Sequence, residues 1–151
     1  MKSIFILAFV LSNLATLTDV TVLRQLFAVA NVDEASNKKL VEITKSADLI
    51  TDSVDYAYNA AGLMSMANHV FWPGTKLSYF NQGKVKLEKA VNFALKNVEI
   101  RFIRYSIQKN APIILGYFDK MQEDKRFILK NIDGTNWTNE YKQEVKGFLN
   151  D

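Results

Sequence analysis

The chain of 151 residues is 48% hydrophobic and 23% charged, with no cysteine, one histidine and a formal charge of +3. A length near 150 residues suits one domain that buries roughly two-thirds of its unfolded surface. Absence of cysteine excludes a disulfide framework, a thiolate metal site and a cysteine nucleophile. A single histidine removes most zinc constellations and most Ser-His machinery, so neither a metal nor a cofactor is expected.

The charge is unevenly spread. Residues 19–75 hold four Lys/Arg against seven Asp/Glu, whereas residues 76–151 hold fourteen against nine. Nucleic-acid binders gather their cations in a dense patch or stripe. Here the cations of the second half alternate with Glu88, Glu99, Glu123 and Asp124. That pattern reads as a solvated mixed surface, and no nucleic-acid partner is expected.

At the N-terminus, Met1-Lys2-Ser3 is a short positive start, followed by eight unbroken apolar residues at 4–11 and small or apolar ones at 14–18. A charged start, a short apolar stretch and small residues near its end make a secretory signal peptide. The stretch is too short to cross a bilayer, which takes about 20 apolar residues. Residues 1–17 are therefore expected to be a cleaved signal. Residues 18–151 are expected to form a single domain, released into the periplasm or beyond without stable membrane insertion.

Val20, Val22, Leu23, Leu26 and Phe27 suit one helical face over residues 20–29. Asp33-Glu34 places acids in the first turn of a second helix, over 34–48, with Leu40, Val41, Ile43 and Thr44 inward. Thr51-Asp52-Ser53 opens a longer helix to about residue 69. It is rich in small residues (Ala57, Ala60, Ala61, Gly62, Ser65, Ala67), so it belongs at the centre, where neighbours approach closely. Phe71-Trp72-Pro73-Gly74 is a strong break. Leu77, Phe80, Leu87, Val91, Ala94 and Leu95 then mark residues 75–95 as one amphipathic helix, or as a short and a longer one with Gly83 at the joint.

Residues 98–109 are rich in β-branched and aromatic side chains but do not alternate as a strand would. Ile100, Ile103 and Ile107 share one helical face, and Val98, Phe102 and Tyr105 share its neighbour. Pro112 closes this helix, because proline disfavours helical geometry in the residue before it. After a short apolar connector at 113–117, a helix over 119–132 turns Met121, Phe127, Ile128 and Leu129 inward and stops at Asp133-Gly134. Thr138 caps a last, mostly polar helix to 149. The fold class is all-α, with antiparallel helical hairpins in one irregular bundle.

No Gly-rich phosphate loop, Gly-x-Ser-x-Gly elbow or His-Glu-x-x-His helix occurs, and no enzymatic activity is expected. His69 reads as a capping or packing residue, and Glu123-Asp124 before Lys125-Arg126 as a salt-bridged surface. The candidate site is the stripe Asn97, Arg101, Arg104 and Gln108, whose steps of four, three and four place all of them on one side of the 98–109 helix. That helix is apolar elsewhere, and an unpaired buried guanidinium is very costly. Two readings stay open. Glu88, Glu99 or Asp124 pairs the arginines between helices, or the stripe opens onto a groove where they bind a carboxylate or phosphate. The aromatic residues Trp72, Tyr79 and Phe80, with Tyr56, Tyr58 and Phe71, either pack the core or form a partner-binding patch.

Leu87-Glu88-Lys89-Ala90-Val91 followed by Asn97-Val98-Glu99-Ile100-Arg101-Phe102 resembles the second helix of a tetratricopeptide-type repeat and the start of the next. Ala90 and Asn97 match, and Leu95 stands where that pattern has proline. The resemblance covers at most one degenerate repeat and implies helical hairpins. A longer string resembles small exported proteins of Bacteroidetes, flavobacteria in particular. It comprises Gly83-Lys84, Leu87-Glu88-Lys89-Ala90, Asn97-Val98-Glu99-Ile100-Arg101-Phe102-Ile103-Arg104, Gln108-Lys109-Asn110-Ala111-Pro112, Leu115-Gly116-Tyr117 and Asp124-Lys125. This second resemblance implies export and transfers no catalytic role.

The function expected is that of a non-enzymatic exported accessory protein. It would bind a protein or peptide partner through a helical groove beside Arg101 and Arg104. The alternative is a small-ligand binder holding an apolar or acidic molecule between helices lined by Met64, Met66, Tyr79 and Phe80.

Overall fold

The computed structural model describes residues 19–151, and the expected signal segment lies outside the described residues. Seven α-helices succeed one another there: α1 Val20–Val29, α2 Glu34–Ile43, α3 Ser53–Met66, α4 Pro73–Phe93, α5 Val98–Asn110, α6 Met121–Asn131 and α7 Asn139–Asn150. No strand occurs among the described residues.

Side-chain caps start several of them. Asp19 accepts from the Thr21 N–H at 2.9 Å, Asp33 from Ser36 at 3.0 Å, Asn97 from Ile100 at 3.0 Å and Thr138 from Tyr141 at 3.2 Å. Each satisfies a donor that the first helical turn leaves unpaired, a contribution of about 1 kcal/mol. α4 starts on Pro73 instead, whose fixed φ is already helical. α2 stops short of the expected 48: Thr44 turns its hydroxyl onto the Leu40 carbonyl at 2.6 Å, a local bond that competes with the helical ladder.

α4 runs unbroken from Pro73 to Phe93, so Gly83 is not a joint. It is a point of close approach. A Cβ there would lie 2.3 Å from Met64 Cγ and 2.4 Å from the Ala60 carbonyl oxygen. Buried small residues of α3, Ala60 among them, make room for that approach, while Gly62 lets α2 close in on the same helix, a Cβ there lying 2.8 Å from Val41 Cγ2.

α5 is shared by two cores. Ile100, Ile103 and Ile107 join Leu23, Leu40, Tyr58, Leu87 and Val91 in the first. Val98, Tyr105 and the half-buried Phe102 join Ile128, Ile132, Trp137, Val145 and Leu149 in the second. The two apolar faces expected of this helix are thus both covered. On α6, Leu129 faces outward rather than inward, while Asp124 takes a fully buried place. The helices range from 10 to 21 residues, so the hairpins are not copies of one repeat unit.

Candidate functional site

The stripe on α5 lies along one side of the helix, but its four members do different things. Asn97 is the N-cap, its amide oxygen engaged by the Ile100 N–H. Arg104 meets Asp124 side-on, with Nε to Oδ2 at 2.7 Å and Nη2 to Oδ1 at 2.8 Å, and its Nη1 reaches Glu88 at 2.9 Å. Arg101 donates to Asp124 at 2.7 Å, to Glu123 at 2.9 Å and to the Leu95 carbonyl at 3.1 Å, and lies over the Phe127 ring. Burial works against the charge of Arg104, but the hydrogen bonds and charges of Asp124 and Glu88 outweigh it and hold the guanidinium above its ordinary pKa. Gln108 is buried, and neither atom of its amide has a hydrogen-bond partner.

Both guanidiniums are therefore neutralised from within, by Glu88 of α4 and by Glu123 and Asp124 of α6. Of the acids that sequence reasoning offered as partners, Glu88 and Asp124 serve and Glu99 does not. Asp124 is a buried hub rather than a member of a salt-bridged surface, because it packs under α5 instead of facing water. Arg101 Nε and Nη1 and all three nitrogens of Arg104 are engaged at 2.7–3.1 Å, so most of the donor capacity of the pair is spent inside the fold.

Glu99 belongs to a second network that the sequence pattern did not reveal. Its carboxylate accepts Arg24 Nε at 3.0 Å and Nη2 at 2.5 Å, together with the Tyr58 hydroxyl. The Arg24 guanidinium lies 4.2 Å from the Tyr141 ring centre and 5.1 Å from that of Trp137. This joins α1, α3, α5 and α7 around one ion pair. Burial and the Glu99 charge push the Tyr58 hydroxyl well above the ordinary tyrosine pKa. Partners 41 and 75 residues apart leave no signature in local spacing.

The aromatic candidates separate as well. Phe80 is buried against Tyr117, with ring centres 6.0 Å apart, and Tyr79 is half-buried. Phe80 thus leaves the patch for the core, because α4 turns it toward α3 and α5. Trp72 stays outside, edge-on to Phe71 at 5.4 Å. These two residues sit in the link between α3 and α4, just ahead of the Pro73 helix start.

That link shares one end of the bundle with two others. Asn68 donates to Asn31 across the α1–α2 link at 3.2 Å, and the His69 ring meets the Ala30 carbonyl at 2.7 Å. Beyond α5, Pro112 leads into a 3₁₀ turn, Ile113–Leu115, that ends at Gly116 with φ 61°. The three links surround a groove of about 280 Å³, with Met64, Phe80 and Ile107 among its lining and Leu77 and Ile114 beside them. The same three links carry Val32, Phe71, Trp72, Ile113 and Ile114, exposed by 85%, 83%, 69%, 83% and 92%, of which Ile114 lines the groove. Scattered exposed apolar residues are ordinary; here several lie on links at one end of the bundle.

No family model, curated protein or solved structure matches this chain. Among the described residues no helix is long and apolar enough to cross a membrane. No group of three or more His, Asp or Glu side chains among them is placed to hold a metal ion.

Proposed function

We propose that this protein is a non-enzymatic, exported interaction module that docks through the apolar end formed by its α1–α2, α3–α4 and α5–α6 links. The observation that carries this reading is that Val32, Phe71, Trp72, Ile113 and Ile114 are all exposed on three links at one end of the bundle, with Ile114 lining the groove there. Keeping five large apolar side chains in water is unfavourable by about 1.5–3 kcal/mol each relative to burying them. A docked partner that covers them recovers that free energy. This reading puts the docking surface at the loop end rather than at the arginine stripe, whose guanidiniums are paired with Glu88, Glu123 and Asp124. At about 280 Å³ the groove lies at the small limit of ligand pockets, which run about 300–1,000 Å³.

Fractionation of producing cells tests this. Ile50 and Phe93 are exposed on the α2–α3 link and at the opposite end of α4. Trp72→Glu with Ile114→Glu is expected to release the protein from the envelope fraction, while Ile50→Glu with Phe93→Glu leaves it there. Retention of the Trp72/Ile114 variant alongside wild type would overturn the assignment.

A further inference from the structure

We infer that the groove between α3, α4 and α5 is a site for a small apolar monocarboxylate, whose body lies on Met64, Phe80 and Ile107 and whose carboxylate is held by Lys76. The site is separate from the docking surface: of the five exposed residues named above, only Ile114 lines the groove.

Helical spacing builds its walls. Pro73, Lys76, Leu77 and Phe80 stand three, one and three residues apart on α4, which puts them on one face of that helix. Ile107, Asn110 and Ala111 do the same at the end of α5, and Met64, Ala67 and Asn68 at the end of α3. Pro112 then turns the chain out of α5, and Leu115 in the following 3₁₀ turn adds a further wall. Met64, Phe80 and Ile107 are buried members of the first core, so the deep part of this cavity of about 280 Å³ is apolar.

Charge and unspent donors decide what fits. Lys76 is the one charged residue of the lining, and neither Asp nor Glu contributes to it. Lys76 is half-buried, and among the described residues its ammonium meets neither a carboxylate nor another acceptor. On the same helix Lys84 lies over the Tyr117 ring and Lys86 donates to Asn59 at 2.5 Å. Ser65 of α3 also contributes to the lining, and its buried Oγ has no hydrogen-bond partner. A buried hydroxyl left unanswered is costly, and a carboxylate beside a half-buried ammonium gains more than one in open water. The amide donors of the lining are spent: Asn68 donates to Asn31 at 3.2 Å and Asn110 to the Ser106 carbonyl at 2.8 Å. The groove therefore holds unspent donors and lacks an anionic oxygen. One ammonium suits one carboxylate, whereas phosphate sites favour the arginine fork, and no arginine lines this groove.

The full chain as recovered from producing cells is titrated with sodium octanoate by calorimetry, and methyl NMR spectra are read in parallel. One saturable site is expected, with shifts at the Met64, Ile107 and Ala111 methyls. Octanol keeps the chain and lacks the charge, and should bind at least about tenfold more weakly. Lys76→Met keeps an unbranched stem; it should weaken octanoate by a similar factor and remove the preference over octanol. Lys89→Met, at an exposed position outside the groove, should change neither. Ala67→Leu narrows the groove and should weaken both ligands. Circular dichroism checks each fold, and Lys76→Gln is read should the methionine variant not fold. The inference is overturned if octanoate, hexanoate and phenylacetate all fail to bind at about 1 mM, or if octanol binds as tightly as octanoate. It is equally overturned if a folded Lys76 variant binds octanoate as wild type does, or if the shifts fall outside the groove. The fractionation above reads docking through Trp72, which lies outside the lining, so either reading can fail while the other stands.

Discussion

Replacing Asp124 by alanine removes the one carboxylate that serves both guanidiniums of the α5 stripe. Its oxygens accept three hydrogen bonds of 2.7–2.8 Å, from Arg101 Nη1 and from Arg104 Nε and Nη2, at a position without solvent exposure. Taking one partner from a buried ion pair costs about 3–5 kcal/mol, because the remaining charge stays where water cannot solvate it. Glu123 and Glu88 keep one contact each with Arg101 and Arg104. The expected loss therefore falls at the lower end, about 3 kcal/mol, against a total stability of about 5–15 kcal/mol for a domain. Urea unfolding followed by circular dichroism should show a lower midpoint at unchanged slope. Glu42→Gln, which breaks the exposed pair with Lys45, should leave the midpoint almost unmoved. A loss below about 1 kcal/mol for Asp124→Ala would refute the view that this network carries buried charge. A companion variant sharpens the test. Arg101→Met, Arg104→Met and Asp124→Leu together should be close to neutral, since a buried ionic cluster and a packed apolar one of similar volume often have similar stability. Glu88 and Glu123 tolerate that change because both reach solvent. A triple variant as unstable as Asp124→Ala would mean that the network does more than neutralise itself.

Gly83→Ala improves helix propensity by about 1 kcal/mol. The added Cβ would nevertheless meet the Ala60 carbonyl at 2.4 Å and the Met64 amide nitrogen at 2.9 Å. Net destabilisation of about 1–3 kcal/mol is expected, and a stabilised variant in urea unfolding would refute the close approach of α3 and α4. Gln108→Met replaces a buried, unpartnered amide by an apolar chain of similar size. Stability should rise by about 1–3 kcal/mol, and an unchanged or lower midpoint would show that the amide is satisfied in solution. Burial, reinforced by the Glu99 and Glu88 charges, holds the Tyr58 and Tyr117 hydroxyls above the ordinary tyrosine range. The unfolded chain loses those protons near pH 10, so their contribution is full below about pH 10 and is lost as pH rises toward the folded values. The slope reaches about 1.4 kcal/mol per pH unit for each tyrosine. Melting temperatures measured from about pH 9 to about pH 11 should fall accordingly, and a flat profile would remove these phenols from the argument.

Much of the helical plan is legible in the sequence because it is local. Apolar steps of three and four residues placed α1 at its observed bounds and divided α5 into the two faces that enter the two cores. The caps at Asp33 and Thr138 act on amides three residues ahead. The small residues of α3 marked it as central before any partner was known. Periodicity failed where a residue's meaning depends on another helix. A joint at Gly83 stayed an open alternative until α3 lay against it, Leu129 and Asp124 exchanged inside for outside on α6, and the choice between core and patch for Phe80 was settled by its packing on Tyr117. The arginine stripe was visible, but its environment was not: spacing along one helix cannot tell a groove from a neighbour's carboxylate.

By itself, then, the sequence determined that this chain is helical, where its helices run and which faces are apolar, since those properties arise from contacts within a few residues. Only the tertiary structure decided that Asp124 closes over Arg101 and Arg104, that Arg24 and Tyr58 share Glu99, and that three links carry their exposed apolar side chains to one end. These depend on which helix packs against which and at what register, and such long-range choices are made by the burial and pairing of the whole chain at once.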